Sequence, residues 1–372
     1  MKISPFKLER FFAKYEFKAP YLLCSSDCES FTVQELLALE PEAATAFQNC
    51  WLGYTESQGQ PELRAEIARL YEQITLEQVL VHTGAQEAIF IFMNALLNPG
   101  DHVIVHYPCY QSLIEVARAI GCDVTAWPVS EETGWELDLG FLEQHIRPNT
   151  RAVVINTPHN PTGYLMSRQK LAQLIEIVSG HELLLFSDEV YRGLEYDPAD
   201  RLPAACDLYE KAVSLGVMSK AYGLAGLRIG WVATQNLEIY QAMAGFKDYT
   251  TICNSAPSEF LAALALRHEA EIVQRNLNII RHNLALLNPF FQRYEALFNW
   301  LPPRAGSIAF PSLKIDPAVD DFCLDLVEKQ GVLLLPGSAY DFGQRHFRLG
   351  FGRRNLPEAL ERWDGYLQER YG

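Results

Sequence analysis

The sequence predicts an α/β fold, with a large domain built on a mostly parallel, helix-flanked sheet and a smaller α+β domain. Two observations support this prediction. Through the middle of the chain, short apolar runs of strand length alternate with longer amphipathic stretches. Strands that are apolar on both faces are typical of parallel sheets covered by helices on both sides. The C-terminal part instead mixes one long helical stretch with short strand-like pieces, which indicates an α+β arrangement.

The alternation also places the individual elements along the chain. The predicted strands are 79–83, 102–106, 152–156, 183–187 and 213–219, with strand-like pieces at 307–313 and 331–335. The predicted helices are 85–97, 112–120, 168–178 and 269–294, followed by a last helix from Pro357. The N-terminal thirty or so residues fit neither pattern, and we expect them to pack with the C-terminal part. The predicted domains are therefore 35–265 for the large domain, and 1–34 with 266–372 for the small domain.

Composition excludes several classes of protein. The chain has 372 residues and a net charge of −15, and such an acidic protein repels phosphate backbones and anionic lipid. We therefore expect no nucleic-acid partner and no membrane partner. The N-terminus lacks the apolar stretch of a signal peptide. The eight cysteines are scattered without zinc-ligand spacing, so we expect reduced thiols, no metal site and a cytoplasmic location.

Two candidate segments follow predicted strands and could form ligand-binding loops. Thr83-Gly84-Ala85-Gln86 leads into a helix, whose free N–H groups and dipole suit a phosphate, although a plain helix start explains the same residues. The loop 156–163 contains two prolines, a glycine and Asn160, and it follows a strand at the edge where ligands bind in α/β sheets. A rigid structural turn is the alternative for this loop.

Two further segments carry ionisable side chains at strand ends. Asp188 closes an apolar strand, where an acid is costly unless it has a partner, and a helix-capping role is the alternative. Lys220 follows another apolar strand among small residues, and Arg228 comes eight residues later, after a glycine-containing loop. A surface lysine and a structural arginine are the alternatives. The loop has neither dinucleotide-binding nor Walker-type spacing.

Together the four segments indicate one chemistry. An Asn, an Asp, a Lys and an Arg at successive strand ends meet in one crevice of a parallel sheet. A lysine for a Schiff base, an acid for a pyridinium nitrogen and an anion site for a phosphate describe pyridoxal 5′-phosphate (PLP) binding. From about Tyr54 to Arg348, the sequence strongly resembles the fold-type I, class I/II aminotransferases. The resemblance implies transfer of an amino group from an L-amino acid to a 2-oxo acid.

The resemblance also implies roles for individual residues around the cofactor ring. Lys220 matches the lysine that forms the Schiff base and moves the proton, and Asp188 matches the acid that keeps the ring nitrogen protonated. Asn160 and Tyr191 match the pair that hydrogen-bonds the 3-hydroxyl oxygen. Tyr107, in His106-Tyr107-Pro108-Cys109-Tyr110, matches the aromatic residue that stacks on the ring, with a core aromatic as the alternative.

The resemblance assigns the phosphate to Arg228 and to the backbone of Gly84, Ala85 and Gln86. Val217 stands where the family usually has a phosphate-binding serine, so we expect that this phosphate contact is either missing or supplied by Ser219. Tyr54 matches a tyrosine that reaches the phosphate of the partner subunit, which implies a homodimer with shared active sites. An exposed surface tyrosine is the alternative for Tyr54.

The same resemblance bears on the substrate. Arg348 matches the arginine that binds the α-carboxylate, and a surface salt bridge is the alternative. The segment 248–257 contains no arginine, whereas the aspartate-specific branch uses one near here for a second carboxylate. A dedicated dicarboxylic donor is therefore not expected. Segment 23–30 carries polar and acidic residues beside the expected pocket, among them Ser25, Asp27 and Glu29. Asp27 or Glu29 in the pocket would indicate a basic amino acid, and the expected donor is therefore basic or neutral.

Two other functions share these motifs. A PLP-dependent C–S lyase, or a synthase that eliminates a group or cyclises its product, carries the same cofactor residues, because the cofactor supplies the common chemistry. A non-catalytic PLP-binding regulator is the more remote alternative. The negative net charge disfavours a DNA-binding regulator.

Overall fold

The computed structural model describes residues 2–316 and 318–372. A seven-stranded sheet forms its centre. The strands are β1 (Val79–His82), β2 (His102–Tyr107), β3 (Asp123–Pro128), β4 (Thr150–Asn156), β5 (Leu184–Asp188), β6 (Ala212–Val217) and β7 (Gly230–Ala233). Their order is β1-β7-β6-β5-β4-β2-β3, and only β7 runs antiparallel to its neighbours in this sheet. The α/β class and the mostly parallel sheet are therefore confirmed.

Helices cover the sheet because its inner strands are apolar on both faces. Every residue of β5 and β6 is buried, as expected for strands packed between two helical layers. The helices are α1 (Lys7–Tyr15), α2 (Val33–Leu37), α3 (Ala43–Gln48), α4 (Pro61–Ala68), α5 (Ala85–Leu96), α6 (Ser112–Ile120), α7 (Leu139–His145), α8 (Arg168–Gly180), α9 (Ala205–Leu208), α10 (Leu237–Lys247), α11 (Ala256–Arg267), α12 (Glu269–Arg293), α13 (Val319–Gln330) and α14 (Leu356–Tyr371). Within the described ranges, no helix is long and apolar enough to cross a membrane.

The C-terminal part contains two small antiparallel sheets. Their strands are β8 (Phe298–Asn299), β9 (Ile308–Ala309), β10 (Ser312–Leu313), β11 (Leu335–Pro336) and β12 (Phe347–Gly350). The N-terminal segment lies against these elements, since Tyr21 forms a parallel bridge with Val332 and the amide of Glu29 donates to the carbonyl of Gly352 at 2.8 Å. The chain thus returns its N-terminus to its C-terminal sheets. The exact domain limits at 34/35 and 265/266 stay a prediction.

The predicted strands of the large sheet are present to within about two residues, but two of its strands were not predicted. Strand β3 lies at an edge with only one fully buried residue, so its sequence lacks an apolar run. Strand β7 is only four residues long and begins with Gly230. The prediction of a strand over 331–335 is wrong, because Gly331 ends α13 in the left-handed conformation and regular pairing begins at Leu335.

Candidate active site

A cavity of about 320 Å³ opens where β4, β5 and β6 end. Asn156, Asp188 and Val217 are the last residues of these strands, and all three line the cavity. Most of the predicted site residues lie on its wall: Ala85, Gln86, Asn160, Asp188, Tyr191, Ser219, Lys220, Arg228 and Arg348. The carboxyl edge of the sheet therefore brings together side chains from distant parts of the sequence.

Asp188 is held at the inner end of this cavity. Its side chain is only 5% exposed and accepts a hydrogen bond of 3.2 Å from the amide of Val190. Burial disfavours the charged carboxylate and raises the pKa of Asp188 to about 7. The neighbouring strand fixes its backbone, because the side-chain amide of Asn156 donates to the carbonyl of Asp188 at 2.9 Å.

Lys220 reaches the same cavity from the turn after β6. Its Nζ donates a hydrogen bond of 2.7 Å to Oγ of Ser26 and lies 5.9 Å from the ring centre of Tyr191. Removal from bulk water lowers the pKa of Lys220 to about 8, although the carboxylate of Asp27 opposes this shift. An acid and an amine whose pKa values both move toward neutrality are typical of a proton-transfer site.

An anion cradle lies at the N-terminus of α5. Gly84 precedes this helix with a φ of +80°, and a Cβ there would lie 2.6 Å from Nη2 of Arg228. The guanidinium therefore sits directly over the Gly84 backbone, beside the free N–H groups of the helix start. Helix N-termini with an adjacent arginine suit a phosphate group. Val217 and Ser219 both line this cavity.

Arg348 of β12 is 1% exposed and has an unusual set of partners. Its Nη2 donates to the carbonyl of Cys24 at 2.7 Å, and its Nη1 donates to the hydroxyl of Tyr340 at 2.5 Å. The same Tyr340 hydroxyl donates to Oδ1 of Asn160 at 3.0 Å. Arg348 has no carboxylate partner among the described residues. Its positive charge is thus oriented but not neutralised, which suits the carboxylate of a ligand.

Tyr191 supplies a second unmatched group. Its side chain is 1% exposed, and within the described part of the chain its hydroxyl has no hydrogen-bond partner. A buried hydroxyl without a partner is costly, so this group marks a place where a ligand oxygen or nitrogen completes the structure.

Tyr107, the residue predicted to stack on the cofactor, does not line the active-site cavity. Tyr107 ends β2, and its hydroxyl donates to the carbonyls of Tyr340 and Asp341 at 2.9 and 2.7 Å. It lines a separate cavity of about 340 Å³. The chain turns after Tyr107, and the aromatic residue that this turn brings to the active-site cavity is Tyr110.

Tyr54 lies outside the cavity and is 85% exposed. Its loop is nevertheless anchored. The buried carboxylate of Glu259 accepts from the amide of Gln60 at 3.2 Å, and Oγ of Ser57 donates to Asp248 at 3.0 Å. The predicted contact of Tyr54 with a partner subunit stays a prediction.

The acidic N-terminal segment is only partly oriented as expected. Ser25 and Asp27 line the cavity, and Asp27 accepts from Arg353 at 3.0 Å. Glu29 instead turns away, because its carboxylate accepts from the amide of Arg354 at 2.9 Å.

Sequence reasoning missed several residues that form or contact the cavity wall. Ser26, Tyr110 and Tyr340 were not selected, and neither was α1 with Glu9, Phe12 and Glu16. For Tyr110 the signal was present, since it lies three residues after Tyr107 in the same segment. Tyr340 and α1 gave no such signal, because nothing local in the sequence shows that they fold back over the sheet.

The chain is similar to known proteins over nearly its whole length. The model of the family "Aminotransferase class I and II" matches residues 20–362. The chain is 31% identical to capreomycidine synthase of Streptomyces vinaceus, over 98% of this chain and 93% of that protein. A PLP-dependent aminotransferase from Streptococcus suis 89-1591 superposes with a TM-score of 0.94 at 35% identity, covering 99% of each chain. The PLP-dependent cyclase OrfR superposes with a TM-score of 0.91 at 32% identity, covering 100% of this chain and 98% of that one.

The chain therefore belongs to the class I and II aminotransferases, and it is a PLP-dependent enzyme of fold type I. The side chains of the cavity match the chemical groups of this cofactor. It offers an amine in Lys220, a buried acid in Asp188, a phenol without a partner in Tyr191, and an anion cradle under Arg228. These groups complement the aldehyde, ring nitrogen, ring oxygen and phosphate of PLP.

Proposed function

We propose that this aminotransferase takes the amino group of a neutral or basic L-amino acid and passes it to a 2-oxo acid. The observation that carries the proposal is the arrangement of Lys220 and Asp188 around one cavity that also contains the unneutralised Arg348. An amine, an acid and a carboxylate site are the groups that removal of a proton from Cα of an amino acid requires.

Each group has one task in this mechanism. Arg348 binds the α-carboxylate, and Tyr340 and the Cys24 carbonyl hold the guanidinium in place for it. Lys220 accepts the proton from Cα and returns it to the reacting carbon next to the ring. With a pKa of about 8, a useful fraction of its amine is neutral near physiological pH. When bound, PLP supplies the electron sink that makes this proton acidic.

The remaining residues orient the ring. We assign Asp188 to hold the proton of the ring nitrogen, and Asn160 and Tyr191 to hydrogen-bond the ring oxygen. Arg228, the α5 N-terminus with Gly84, Ala85 and Gln86, and Ser219 are assigned to the phosphate. The ring face is assigned to Tyr110 in place of Tyr107. The lack of arginine in 248–257 supports a donor without a second carboxylate.

The test is amino transfer itself. The PLP-loaded protein is incubated with each L-amino acid and a 2-oxo acid, and the new amino acid and new oxo acid are quantified together. Lys220→Ala should remove both products, whereas the surface change Lys211→Ala should leave both unchanged. Equimolar formation of the two products supports transamination. No amino transfer by the wild type to any oxo acid would refute it.

A second candidate is a synthase that eliminates a group or cyclises its product. It is favoured by the likeness to capreomycidine synthase and to the cyclase OrfR, since each covers nearly the whole chain. The same incubation separates the two functions. A synthase needs no oxo acid. It consumes its amino acid and forms a cyclic product or releases ammonia, and any oxo acid that is present stays unchanged.

We further propose a homodimer in which Tyr54 reaches the phosphate of the partner. The exposed apolar residues near its anchored loop support a covered surface: Trp51, Leu52, Tyr249 and Ile252. The test mixes Lys220→Ala with Tyr54→Ala. In a shared-site dimer, the mixed dimer regains one intact site, so its activity exceeds the mean of the two parents. Activity equal to that mean would contradict sharing.

We also propose a reducing compartment, the cytoplasm. The eight cysteines are all free thiols in the structure, and several are fully buried, as in Cys24, Cys28 and Cys206.

A further inference from the structure

Helix α1 forms an outer wall of the active-site cavity. Leu8, Glu9 and Phe12 of this helix line the cavity together with Glu16, which caps its C-terminus. Phe12 is three or four residues from each of the others, so the four lie on one helical face. The helix is anchored to the rest of the protein, because the amide of Lys7 donates to Oε1 of Gln111 at 2.9 Å and its ammonium pairs with Asp341. The wall is therefore fixed at its N-terminal end.

The charges of this wall are not balanced. Glu9, Glu16 and Asp27 line the cavity, but Arg353 pairs only with Asp27. Glu9 accepts one hydrogen bond of 3.3 Å from the hydroxyl of Tyr110. Glu16 has no side-chain partner among residues 2–316 and 318–372. Partial burial raises the pKa of Glu16, and the carboxylates of Asp27 and Glu9 add to this shift, while Arg353 and Arg348 oppose it without cancelling it. A cation in the cavity would relieve this repulsion.

Two further observations place this wall at a ligand-binding cavity. The buried Tyr191 hydroxyl, assigned above to the cofactor ring, lines the same cavity without a partner in the described structure. The guanidinium of Arg348 lies 5.9 Å from the ring centre of Phe12, so α1 passes directly over the carboxylate site. Glu16 follows Phe12 by one helical turn, about 6 Å along the axis. The cavity thus has a positive end at Arg348 and a negative wall along α1.

We propose that Glu9 and Glu16 select a basic L-amino acid by binding the guanidinium or ammonium at the end of its side chain. This inference rests on the proposed function, since it places the α-carboxylate on Arg348. A substrate with an anionic side chain would meet repulsion from both glutamates. A neutral side chain would leave the two carboxylates partly desolvated without compensation.

The test compares L-arginine with L-citrulline, which has nearly the same shape but no charge. Binding to the PLP-loaded protein is followed by the change in cofactor absorbance, so it does not depend on turnover. The wild type should bind L-arginine at least about tenfold more tightly, because a hydrogen bond to a charged group contributes more than a neutral one. Glu16→Gln and Glu9→Gln should each reduce this preference about tenfold.

Glu143→Gln, at an exposed position of α7, makes the same charge change away from the cavity and should preserve the preference. Because the readout is a ratio of two ligands, a general loss of affinity does not imitate the result. Equal binding of the two ligands by the wild type, or an unchanged ratio in both variants, would overturn the inference. Preferential binding of L-arginine without amino transfer would instead refute the proposed function and leave the inference standing.

Discussion

The Nζ of Lys220 donates a hydrogen bond of 2.7 Å to the hydroxyl of Ser26, which lies 194 residues earlier in the chain. The segment around Ser26 is itself tied to the C-terminal part, since Oγ of Ser307 donates to the carbonyl of Ser26 at 2.9 Å. The reacting amine is therefore in direct contact with the segment that joins α1 to the small sheets. Any movement of that segment changes the environment of Lys220.

The first prediction concerns this contact. Ser26 accepts a hydrogen bond from the ammonium, which favours the charged form, so Ser26→Ala should lower the pKa of Lys220 below 8. A shift of about one unit corresponds to the loss of one hydrogen bond to a charged group. The rate at which the cofactor-free protein takes up PLP, measured against pH, should show a more acidic midpoint. Ser130→Ala on the surface serves as control, and an alkaline shift would contradict the prediction.

The second prediction concerns the pH dependence of stability through Asp188. Its pKa is raised from 3.8 to about 7 by burial, so the protonated form favours folding. The protonated Asp188 carboxyl contributes its full stabilisation of the folded state below pH 3.8, and this stabilisation is lost as the pH rises through 7. Asn at this position stays neutral, and the stability of cofactor-free Asp188→Asn relative to wild type should therefore grow from about pH 4 to pH 7 and then level off.

Urea unfolding of both cofactor-free proteins across this pH range measures the effect, with Glu143→Gln as surface control. The same substitution should have the opposite effect on PLP affinity. Asp188→Asn should bind the cofactor more weakly, because Asn cannot hold the proton of the ring nitrogen. A stability difference that shrinks with rising pH would show that Asp188 is ionised in the folded protein.

How far the sequence predicts this fold depends on how local the signal is. The apolar runs of β4, β5 and β6 are buried on both faces, so composition alone locates them. The edge strand β3 pairs only with β2 and has one fully buried residue, so its sequence has no comparable apolar run. Its place in the sheet depends on this pairing with β2, which nothing in its own residues indicates.

The same distinction applies to the site. Asp188 ends a strand of the large sheet, Lys220 and Asn160 come soon after two others, and the parallel topology brings their side chains to one edge. Tyr340 and α1 reach that edge from outside the sheet, through the return of both chain ends, and no strand-end rule predicts them. Tyr110 lines the cavity and Tyr107 does not, because the chain changes direction in the turn after β2.

The third prediction tests the choice between Tyr107 and Tyr110 with a matched pair. Tyr110 lines the cavity, whereas Tyr107 binds the 340–341 carbonyls from another cavity. Tyr110→Ala should weaken PLP binding about tenfold through the loss of aromatic contact, and Tyr107→Ala should change it far less. Equilibrium dialysis of PLP against both variants measures this difference. A greater loss of PLP affinity in Tyr107→Ala would assign the ring face to Tyr107 instead.

The fourth prediction separates close packing from backbone strain at the anion cradle. Gly84 and Gly100 both have positive φ values, +80° and +88°, but only at Gly84 would a Cβ meet Arg228, at 2.6 Å from Nη2. Both Gly84→Ala and Gly100→Ala should lose stability, roughly 1 kcal/mol or more, because a positive φ strains an L-residue. The loss should be larger at Gly84, whose ψ of 171° places it in a region that essentially only glycine adopts. Only Gly84→Ala should also displace the guanidinium and weaken the binding of PLP and of inorganic phosphate, by about tenfold or more. Titration of both variants with PLP, beside their thermal unfolding, gives the two quantities separately. Equal PLP affinities in the two variants would mean that Arg228 moves aside freely and that its position over Gly84 does not contribute to phosphate binding.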